Sequence, residues 1–273
     1  MTTSLTAGTV PAWAHGLLQE RDPASAWPAP DRIRDGWQPA TVTEVIAESP
    51  DTVTVRFALA DPQPFLPGQH FNLEMPSAGS AYPAMETYSV SSSPWPDPHL
   101  IDITVKEVPG GRVSPLLVHR IPLGAVVAVE GPLGYFTWNE ADGGPLVLVG
   151  AGSGIAPLMA MIRYSAAKNL DVPVRLLYSS RDRDHAIFGR ELDRLADEHR
   201  WLQVVHTFTA EPADPAGRYH RRVDHDMLAE CFADIAGACL AYVCGPFAMV
   251  THVEEQMLGL GVGPGRLMTE TWE

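Results

Sequence analysis

The chain has 273 residues, of which 45% are hydrophobic, so it is long enough for two domains that each bury a core. Its formal net charge of −14 argues against nucleic acid as a general partner, because a phosphate backbone binds basic surfaces. Three cysteines cannot supply the four thiolates of an iron–sulfur centre and do not form an even-numbered disulfide framework, which predicts a reducing, cytoplasmic location.

The sequence predicts no targeting or membrane-spanning segment. Residues 1–19 carry no charged side chain, but proline, histidine, glycine and hydroxyl residues interrupt any apolar run, unlike a signal peptide. Residues 143–162 are also uncharged and long enough to imitate a membrane span. The five glycines and two prolines within them favour a buried strand followed by a loop.

The first 142 residues divide into an arm and a region of strands. Residues 1–37 show no period, which predicts an N-terminal arm that is ordered where Trp13, Trp27 or Trp37 finds a groove. Residues 38–142 contain short alternating segments separated by turns, which is typical of a small antiparallel β-barrel. The predicted strands are residues 41–46, 52–58, 67–75, 88–92, 100–106, 125–130 and 134–138, with one helix at 114–120.

The pattern changes near residues 141–144, where an Asp-Gly-Gly sequence marks a flexible joint. Apolar strands then alternate with helical periods over residues 143–273, which predicts a doubly wound, parallel α/β sheet with crossover helices. The predicted strands are 146–149, 174–178, 202–207 and 240–244, and the predicted helices are 155–167, 191–199, 224–232 and 247–259.

A glycine-rich turn follows the first strand of this α/β region. In Gly150-Ala-Gly-Ser-Gly154 the glycines allow a tight turn, in which backbone N–H groups and the start of the next helix face an anion. Ile155 stands where the usual dinucleotide fingerprint has its third glycine, so a plain strand–turn–helix without a ligand is the alternative.

Seven short motifs occur in register on this layout. They are Pro67-Gly-Gln-His-Phe71, Tyr88-Ser-Val-Ser-Ser92, Gly110-Gly-Arg-Val-Ser114, Gly131-Pro-Leu-Gly134, Gly150-Ala-Gly-Ser-Gly-Ile-Ala-Pro157, Cys244-Gly-Pro246 and Glu270-Thr-Trp272. Their series over residues 38–273 resembles the ferredoxin–NADP reductase family, flavoenzymes that pass electrons between a nicotinamide nucleotide and a one-electron carrier. The resemblance implies a flavin-binding barrel at 38–142 and a nicotinamide nucleotide-binding α/β domain at 143–273, after the arm at 1–37.

The resemblance implies that the barrel binds FAD, with FMN the less expected flavin. Tyr88 would pack along the isoalloxazine or ribityl chain and Ser89 would hydrogen-bond near flavin N5, with an ordinary core tyrosine as the alternative. Glycines and a hydroxyl at 110–114 suit flavin phosphates, with a capped surface helix as the alternative. The further barrel residues implied in cofactor binding are Val90, Ser91, Lys106, Gly111, Arg112, Val113 and Ser114.

The α/β domain would bind NADPH or NADH as the hydride donor. The implied nucleotide-binding residues are Gly152, Ser153, Gly154, Ser180, Arg181, Gly245 and Pro246. The glycine turn would approach the pyrophosphate, and Arg181 would pair with a 2′-phosphate, which favours NADPH modestly. Arg183, Arg218 or Arg222 could assist it. A solvated surface cluster is the alternative for these arginines.

Three residues have implied catalytic roles: Ser89, Cys244 and Glu270. Cys244 would lie beside nicotinamide C4, where a small polarizable side chain leaves room for two rings to approach. Glu270 would relay a proton or hydrogen-bond at the flavin edge, and Trp272 would shield the ring. The alternatives are a buried packing cysteine and a frayed chain end.

One position departs from the family pattern. An arginine normally stands two residues before the Tyr-Ser pair, where it holds a flavin phosphate, and this chain has Glu86 there. A carboxylate about 5 Å from a phosphate costs about 3 kcal/mol at an effective dielectric near 20. We therefore expect weak flavin binding unless Arg112 or Lys106 substitutes for the arginine.

Two functional hypotheses follow. The first is an NAD(P)H-dependent flavoprotein reductase that passes single electrons to a separate, diffusible acceptor, such as a ferredoxin, a flavodoxin, a haem protein or an oxygenase. Ser89, Cys244 and Glu270 favour it. The second, which Glu86 favours, is a flavin-poor relative that binds a nucleotide or a protein without turnover. The histidines show no metal-binding spacing, so we expect no metal site.

Overall fold

The computed structural model describes residues 11–19, 21, 23–24, 27–30, 32–75, 83–212 and 219–272. Their contacts form two compact units. The first holds the described residues up to Phe65 and those of Gln69–Gly134, and the second holds Leu66–Gly68 with those from Tyr135 onward. The functional domain limits expected from the sequence, 1–37, 38–142 and 143–273, stay a proposal.

The first unit is built on six antiparallel strands. They are β1 (Gln38–Ser49), β2 (Thr52–Leu59), β3 (His70–Met75), β4 (Ala84–Ser89), β5 (Leu100–Lys106) and β6 (Val126–Leu133). Their order is β4-β3-β6-β1-β2-β5, and an antiparallel bridge between Val90 and Ile103 joins the two ends of the sheet. This closure leaves no open sheet edge at that point and gives the predicted barrel.

Buried apolar residues alternate with more exposed residues along the strands, and the buried ones fill the barrel. Phe71, Leu73 and Met75 of β3 are fully buried, whereas the residues between them are half-buried. The sequence pattern is therefore the pattern of inward-facing positions, because successive side chains of a strand point to opposite faces. A short helix, α2 (Ser114–His119), adds Leu117 and Val118 to the same core.

Residues 134–138 are not the strand that their alternation predicts. Gly134 has φ +94°, a left-handed conformation that ends β6. Phe136 and Trp138 alternate with exposed Tyr135 because they are anchors in the core of the second unit. The indole of Trp138 donates to the Gly143 carbonyl at 2.9 Å. Two buried residues separated by one residue thus give the alternation of a strand, although the backbone here is irregular.

The arm contains a helix that the sequence pattern did not predict, α1 (Ala12–Gln19). Leu17 and Trp27 are buried in the barrel core. The Arg21 guanidinium donates to the carbonyls of Leu17 (3.2 Å), Leu117 (3.3 Å), Val118 (2.8 Å) and Ile121 (2.9 Å). Burial lowers the pKa of Arg21 to about 10. One cation therefore joins the arm to the carboxyl end of α2, where carbonyls lack helical partners.

The second unit is a parallel sheet with helices on both faces, which confirms the predicted doubly wound class. The strands are β7 (Leu146–Ala151), β8 (Val174–Ser180), β9 (Leu202–Phe208), β10 (Leu240–Pro246) and β11 (Leu267–Trp272), in the order β11-β10-β7-β8-β9. The helices are α3 (Ile155–Ala167), α4 (Gly189–Glu198), α5 (His225–Phe232) and α6 (Phe247–Gly259). Within the described ranges, no helix is long and apolar enough to cross a bilayer.

The strand order places a switch point between β7 and β10. From β7 the sheet grows to β8 and β9 on one side, and the chain then returns to β10 and β11 on the other side. Connections leave in opposite directions at such a point, so the carboxyl ends of the two central strands bound a crevice. The glycine turn ends β7 and Cys244-Gly-Pro246 ends β10, so both motifs lie there.

We expect Arg21→Gln to lower the free energy of unfolding by about 1–3 kcal/mol, since a partly buried charged donor to four carbonyls is lost. Equilibrium urea unfolding measures the change. The matched control is Arg32→Gln in the same arm, because Arg32 is exposed, and it should stay within about 0.5 kcal/mol of wild type. Equal midpoints for the two variants would contradict the anchoring role.

Candidate functional site

Strand β4 presents the Tyr-Ser pair on two faces. Tyr88 lies opposite Phe71 of β3 and packs half-buried on the barrel core, whereas Ser89 lies opposite His70 and faces the other way. Burial raises the pKa of the Tyr88 phenol, and the nearby Glu86 carboxylate raises it further. The phenol is therefore a neutral hydrogen-bonding group at neutral pH.

His70 is a neighbour of Ser89 that the sequence did not single out for a role. A Cβ on Gly134 would lie 2.8 Å from its Nδ1, so the glycine makes room for the ring. Burial lowers the pKa of His70, which keeps the imidazole neutral. The signal was the Pro67-Gly-Gln-His-Phe71 motif, but the motif alone does not say which strand residue the histidine faces.

The structure does not bring Val90 and Ser91 to the surface with Ser89. Val90 is fully buried. The Ser91 hydroxyl lies inside the barrel, 2.8 Å from the Thr104 hydroxyl and 3.2 Å from the Asp102 carbonyl, and the Ser91 N–H also donates to that carbonyl. These groups already have protein partners, so the roles of Val90 and Ser91 in flavin binding stay predictions.

The 110–114 loop is held by its own hydrogen bonds. The Ser114 hydroxyl accepts the Val108 N–H at 3.0 Å, and the Gly111 N–H donates to the Val108 carbonyl at 2.8 Å. A Cβ on Gly111 would lie 2.9 Å from the Ser114 oxygen, which explains the glycine. Val113 is buried and Arg112 is exposed, so the guanidinium is the group that this loop offers to an anion.

Glu86 and Lys106, two charged residues that bear on the flavin phosphate, have different surroundings. Glu86 is exposed on β4, two residues before Tyr88 and on the same side of the strand. Lys106, at the end of β5, lies 3.4 Å from Asp51 in an ion pair. The aromatic and hydroxyl groups suit a flavin ring, whereas Glu86 does not suit a phosphate.

The glycine turn of the second unit is a tight 3₁₀ turn, Gly152–Gly154, between β7 and α3. Gly152 has φ +54°. A Cβ on Gly154 would overlap the Cys244 carbonyl oxygen and the Trp272 ring. Only glycine fits there, because the Cys244 carbonyl and the Trp272 ring lie directly against the turn. Three predicted site residues from separate motifs meet at this point.

Cys244 and Glu270 are brought together by strand pairing. They lie opposite each other in the parallel β10–β11 pair, and the Cys244 Sγ lies 3.9 Å from a carboxylate oxygen of Glu270. Burial raises the pKa of the Cys244 thiol well above its usual range, and the carboxylate raises it further. The site therefore holds a neutral thiol beside an acidic group. Gly245 follows, packed against Met249, and exposed Pro246 precedes α6.

The end of β8 carries the predicted ribose-side residues. Ser180 is buried, and its hydroxyl oxygen has no hydrogen-bond partner within the described part of the chain, so it could bind a ligand hydroxyl. Arg181 is exposed and lies 3.2 Å from Asp182, and its guanidinium also contacts His185. A neighbouring carboxylate thus offsets part of its charge.

The other arginines have different surroundings. Arg183 stacks over Phe208 at 5.3 Å and pairs with Glu211 at 3.5 Å. Arg222 is exposed. Arg218 lies outside the described residues.

Comparison with known families agrees with both units. Residues 39–138 match the family described as "Oxidoreductase FAD-binding domain", and residues 148–255 match "Oxidoreductase NAD-binding domain". The fold and the two matched domains define a flavin- and nicotinamide-dependent oxidoreductase.

Individual relatives narrow this class. A reductase component of naphthalene 1,2-dioxygenase/salicylate 5-hydroxylase systems from Ralstonia sp is 29% identical over 89% of this chain and 70% of its own length. A glycine betaine monooxygenase reductase subunit from Pseudomonas aeruginosa is 36% identical over 84% and 62%. The crystal structure of an Amycolatopsis cytochrome P450 reductase superposes with a TM-score of 0.74 at 30% identity, covering 86% and 69%. The chain belongs to the ferredoxin–NADP reductase-like family and spans about two thirds of these relatives.

We expect Gly154→Ala to raise KM for NADPH and NADH at least about tenfold, because the new methyl group must displace the Cys244 carbonyl or the Trp272 ring. Bound FAD per chain should not change, because the substitution lies outside the FAD-binding domain. Steady-state ferricyanide reduction measures KM. Gly259→Ala is the control, since nothing lies within 4 Å of its added methyl group. A wild-type KM in Gly154→Ala would refute the assigned position of the turn.

Proposed function

We propose that the chain is the reductase component of an oxygenase system, taking hydride from NADPH or NADH and delivering single electrons to a separate protein. The observation that carries this proposal is that one chain contains an FAD-binding and an NAD-binding domain with the Cys244–Glu270 pair intact. The names of its relatives, which serve dioxygenase, monooxygenase and cytochrome P450 systems, support it. They favour a ferredoxin, an oxygenase or a haem protein as acceptor, with a flavodoxin the remaining candidate.

The barrel residues would bind and orient the flavin. FAD, when bound, supplies the ability to accept hydride and release electrons one at a time. Tyr88 offers a ring and a neutral phenol, and Ser89 offers a hydroxyl beside neutral His70. Gly111 and Arg112 would hold the phosphates, with Lys106 the second cation. The absence of charge on the phenol and imidazole suits a neutral ring system.

The α/β residues would hold the nicotinamide nucleotide. The N–H groups of the glycine turn and the start of α3 would face the pyrophosphate, and Ser180 would bind the ribose. Cys244 would lie beside the nicotinamide ring, where a small neutral thiol excludes water without adding charge. Glu270 would hold or move a proton at its carboxylate, and Trp272 would shield the flavin ring.

A spectroscopic titration tests this proposal. The purified protein is mixed with FAD, freed of unbound flavin and reduced anaerobically with NADPH or NADH, and the visible flavin spectrum is followed. We expect FAD uptake and bleaching, then reoxidation by ferricyanide. A protein that retains no FAD under any of these conditions would refute the reductase and leave the nucleotide-binding alternative that Glu86 favours.

We further propose a cytoplasmic location. Cys231, Cys239 and Cys244 are all free thiols, which is usual in a reducing compartment.

Arg181 is proposed to recognise the 2′-phosphate of NADPH. We expect Arg181→Ala to raise KM for NADPH about tenfold and to leave KM for NADH within about twofold, because only NADPH carries that phosphate. The same ferricyanide assay measures both values. Arg194→Ala, an exposed arginine of α4, is the control. If both nucleotides respond equally, Arg181 does not discriminate between them.

Glu86 is proposed to weaken flavin binding. We expect Glu86→Arg to tighten the FAD dissociation constant at least about tenfold, because a repulsive charge becomes attractive beside the phosphates. Equilibrium titration of apoprotein with FAD measures this constant. Glu254→Arg makes the same charge change on an exposed position of α6 and should have little effect. Unchanged or weaker affinity in Glu86→Arg would place that carboxylate away from the phosphates.

A further inference from the structure

A buried tyrosine outside all of the sequence motifs contacts the glycine turn. Tyr178 of β8 is fully buried and lies opposite Gly150 of β7 in the parallel pair. Its hydroxyl oxygen lies 3.0 Å from the Gly152 carbonyl oxygen and 3.2 Å from the Ile187 nitrogen. Because the Ile187 N–H can only donate, the phenol oxygen accepts a hydrogen bond from it, and the phenol O–H donates a hydrogen bond to the Gly152 carbonyl.

The direction of the Gly152 carbonyl determines the direction of the next N–H. A trans peptide group is planar, so its C=O and N–H point in opposite directions. The Gly152 carbonyl is held toward the Tyr178 hydroxyl, and the Ile155 N–H donates to the same oxygen. The Ser153 N–H, which belongs to the same peptide group, must therefore point away from the Tyr178 hydroxyl.

The left-handed conformation of Gly152 makes this restraint necessary. Its φ is +54°, and a glycine can leave this conformation for several others at little cost. Within the turn, the Gly152 carbonyl is held by the Ile155 N–H. The Tyr178 phenol adds a buried hydrogen bond from a neighbouring strand, which further restrains rotation of the peptide group that carries the Ser153 N–H.

The same hydroxyl reaches the ribose-side segment. Ile187 follows the turn that contains Asp182 and His185, whose N–H donates to an Asp182 carboxylate oxygen at 3.0 Å. This turn begins directly after Arg181. Tyr178 thus links the segment proposed to bind the ribose with the turn proposed to bind the pyrophosphate.

We propose that Tyr178 is a positioning residue for the nicotinamide nucleotide: its phenol orients the Gly152–Ser153 peptide so that the Ser153 N–H faces the pyrophosphate. The inference rests on the proposed assignment of the glycine turn to that phosphate group. It adds a residue that neither touches the nucleotide nor belongs to a recognised motif.

Tyr242 provides a matched control for a purely structural role. It is also almost fully buried in a central strand of the same sheet, and its hydroxyl donates to a backbone carbonyl, that of Thr137, at 2.8 Å. Thr137 lies outside the glycine turn. Replacing Tyr242 with phenylalanine removes one buried hydrogen bond, and replacing Tyr178 removes two. Each change keeps the ring, so both variants should lose thermal stability, Tyr178→Phe the more.

The test compares Tyr178→Phe with Tyr242→Phe in the full chain loaded with FAD. We expect Tyr178→Phe to raise KM for both NADPH and NADH about three- to tenfold, with kcat within about twofold and unchanged flavin content. Tyr242→Phe should leave KM within about twofold while its thermal midpoint falls. A KM in Tyr178→Phe that moves no more than in Tyr242→Phe would overturn the inference.

Calorimetric titration with NADP⁺ separates this inference from the proposed reductase function. If the wild-type protein binds NADP⁺ but does not reduce ferricyanide with NADPH or NADH, the reductase proposal fails. The ratio of NADP⁺ dissociation constants for Tyr178→Phe and wild type still decides the role of Tyr178. A ratio of about three or more supports it, and a ratio near one refutes it. A wild-type protein that binds no nucleotide overturns both.

Discussion

The α/β unit depends on the close approach of two backbones at its switch point. The carboxyl end of β10 comes so near the turn after β7 that no side chain fits at Gly154, where the Cys244 carbonyl and the Trp272 ring occupy the space. The start of α3, the carboxyl end of β10 and the last residue of β11 meet at this contact. The close approach of these two backbones therefore determines which side chains of the candidate site lie next to each other.

Much of the fold follows from the sequence because its signals are local. The bounds of α3 and α6 coincide with the predicted helices, since each has a clear apolar period and an adjacent strand. Strand β11 has no such signal: its residues are half-buried or exposed, and its pairing with β10 joins distant parts of the chain. Segment 134–138 fails for the opposite reason, since two core anchors produce a strand-like alternation without a strand.

Motifs in the sequence predicted which residues belong to the candidate site, but not which of them lie next to each other. Cys244 and Glu270 could be named from short motifs, but their proximity depends on sheet order, which no single motif encodes. The surroundings of Ser91 were likewise not evident from its motif: its hydroxyl lies inside the barrel, beside the Thr104 hydroxyl. Tyr178 had no motif at all, because its importance comes from the carbonyl that it contacts.

The state of the Cys244 thiol has a consequence for the durability of the protein. Alkylating agents and peroxides react with thiolates, and burial together with the adjacent carboxylate keeps this sulfur protonated. A flavin-dependent oxidoreductase is exposed to such oxidants whenever electrons leak from its flavin to oxygen. The Cys244–Glu270 pairing therefore protects this sulfur from oxidation, as well as bringing two of the predicted site residues together.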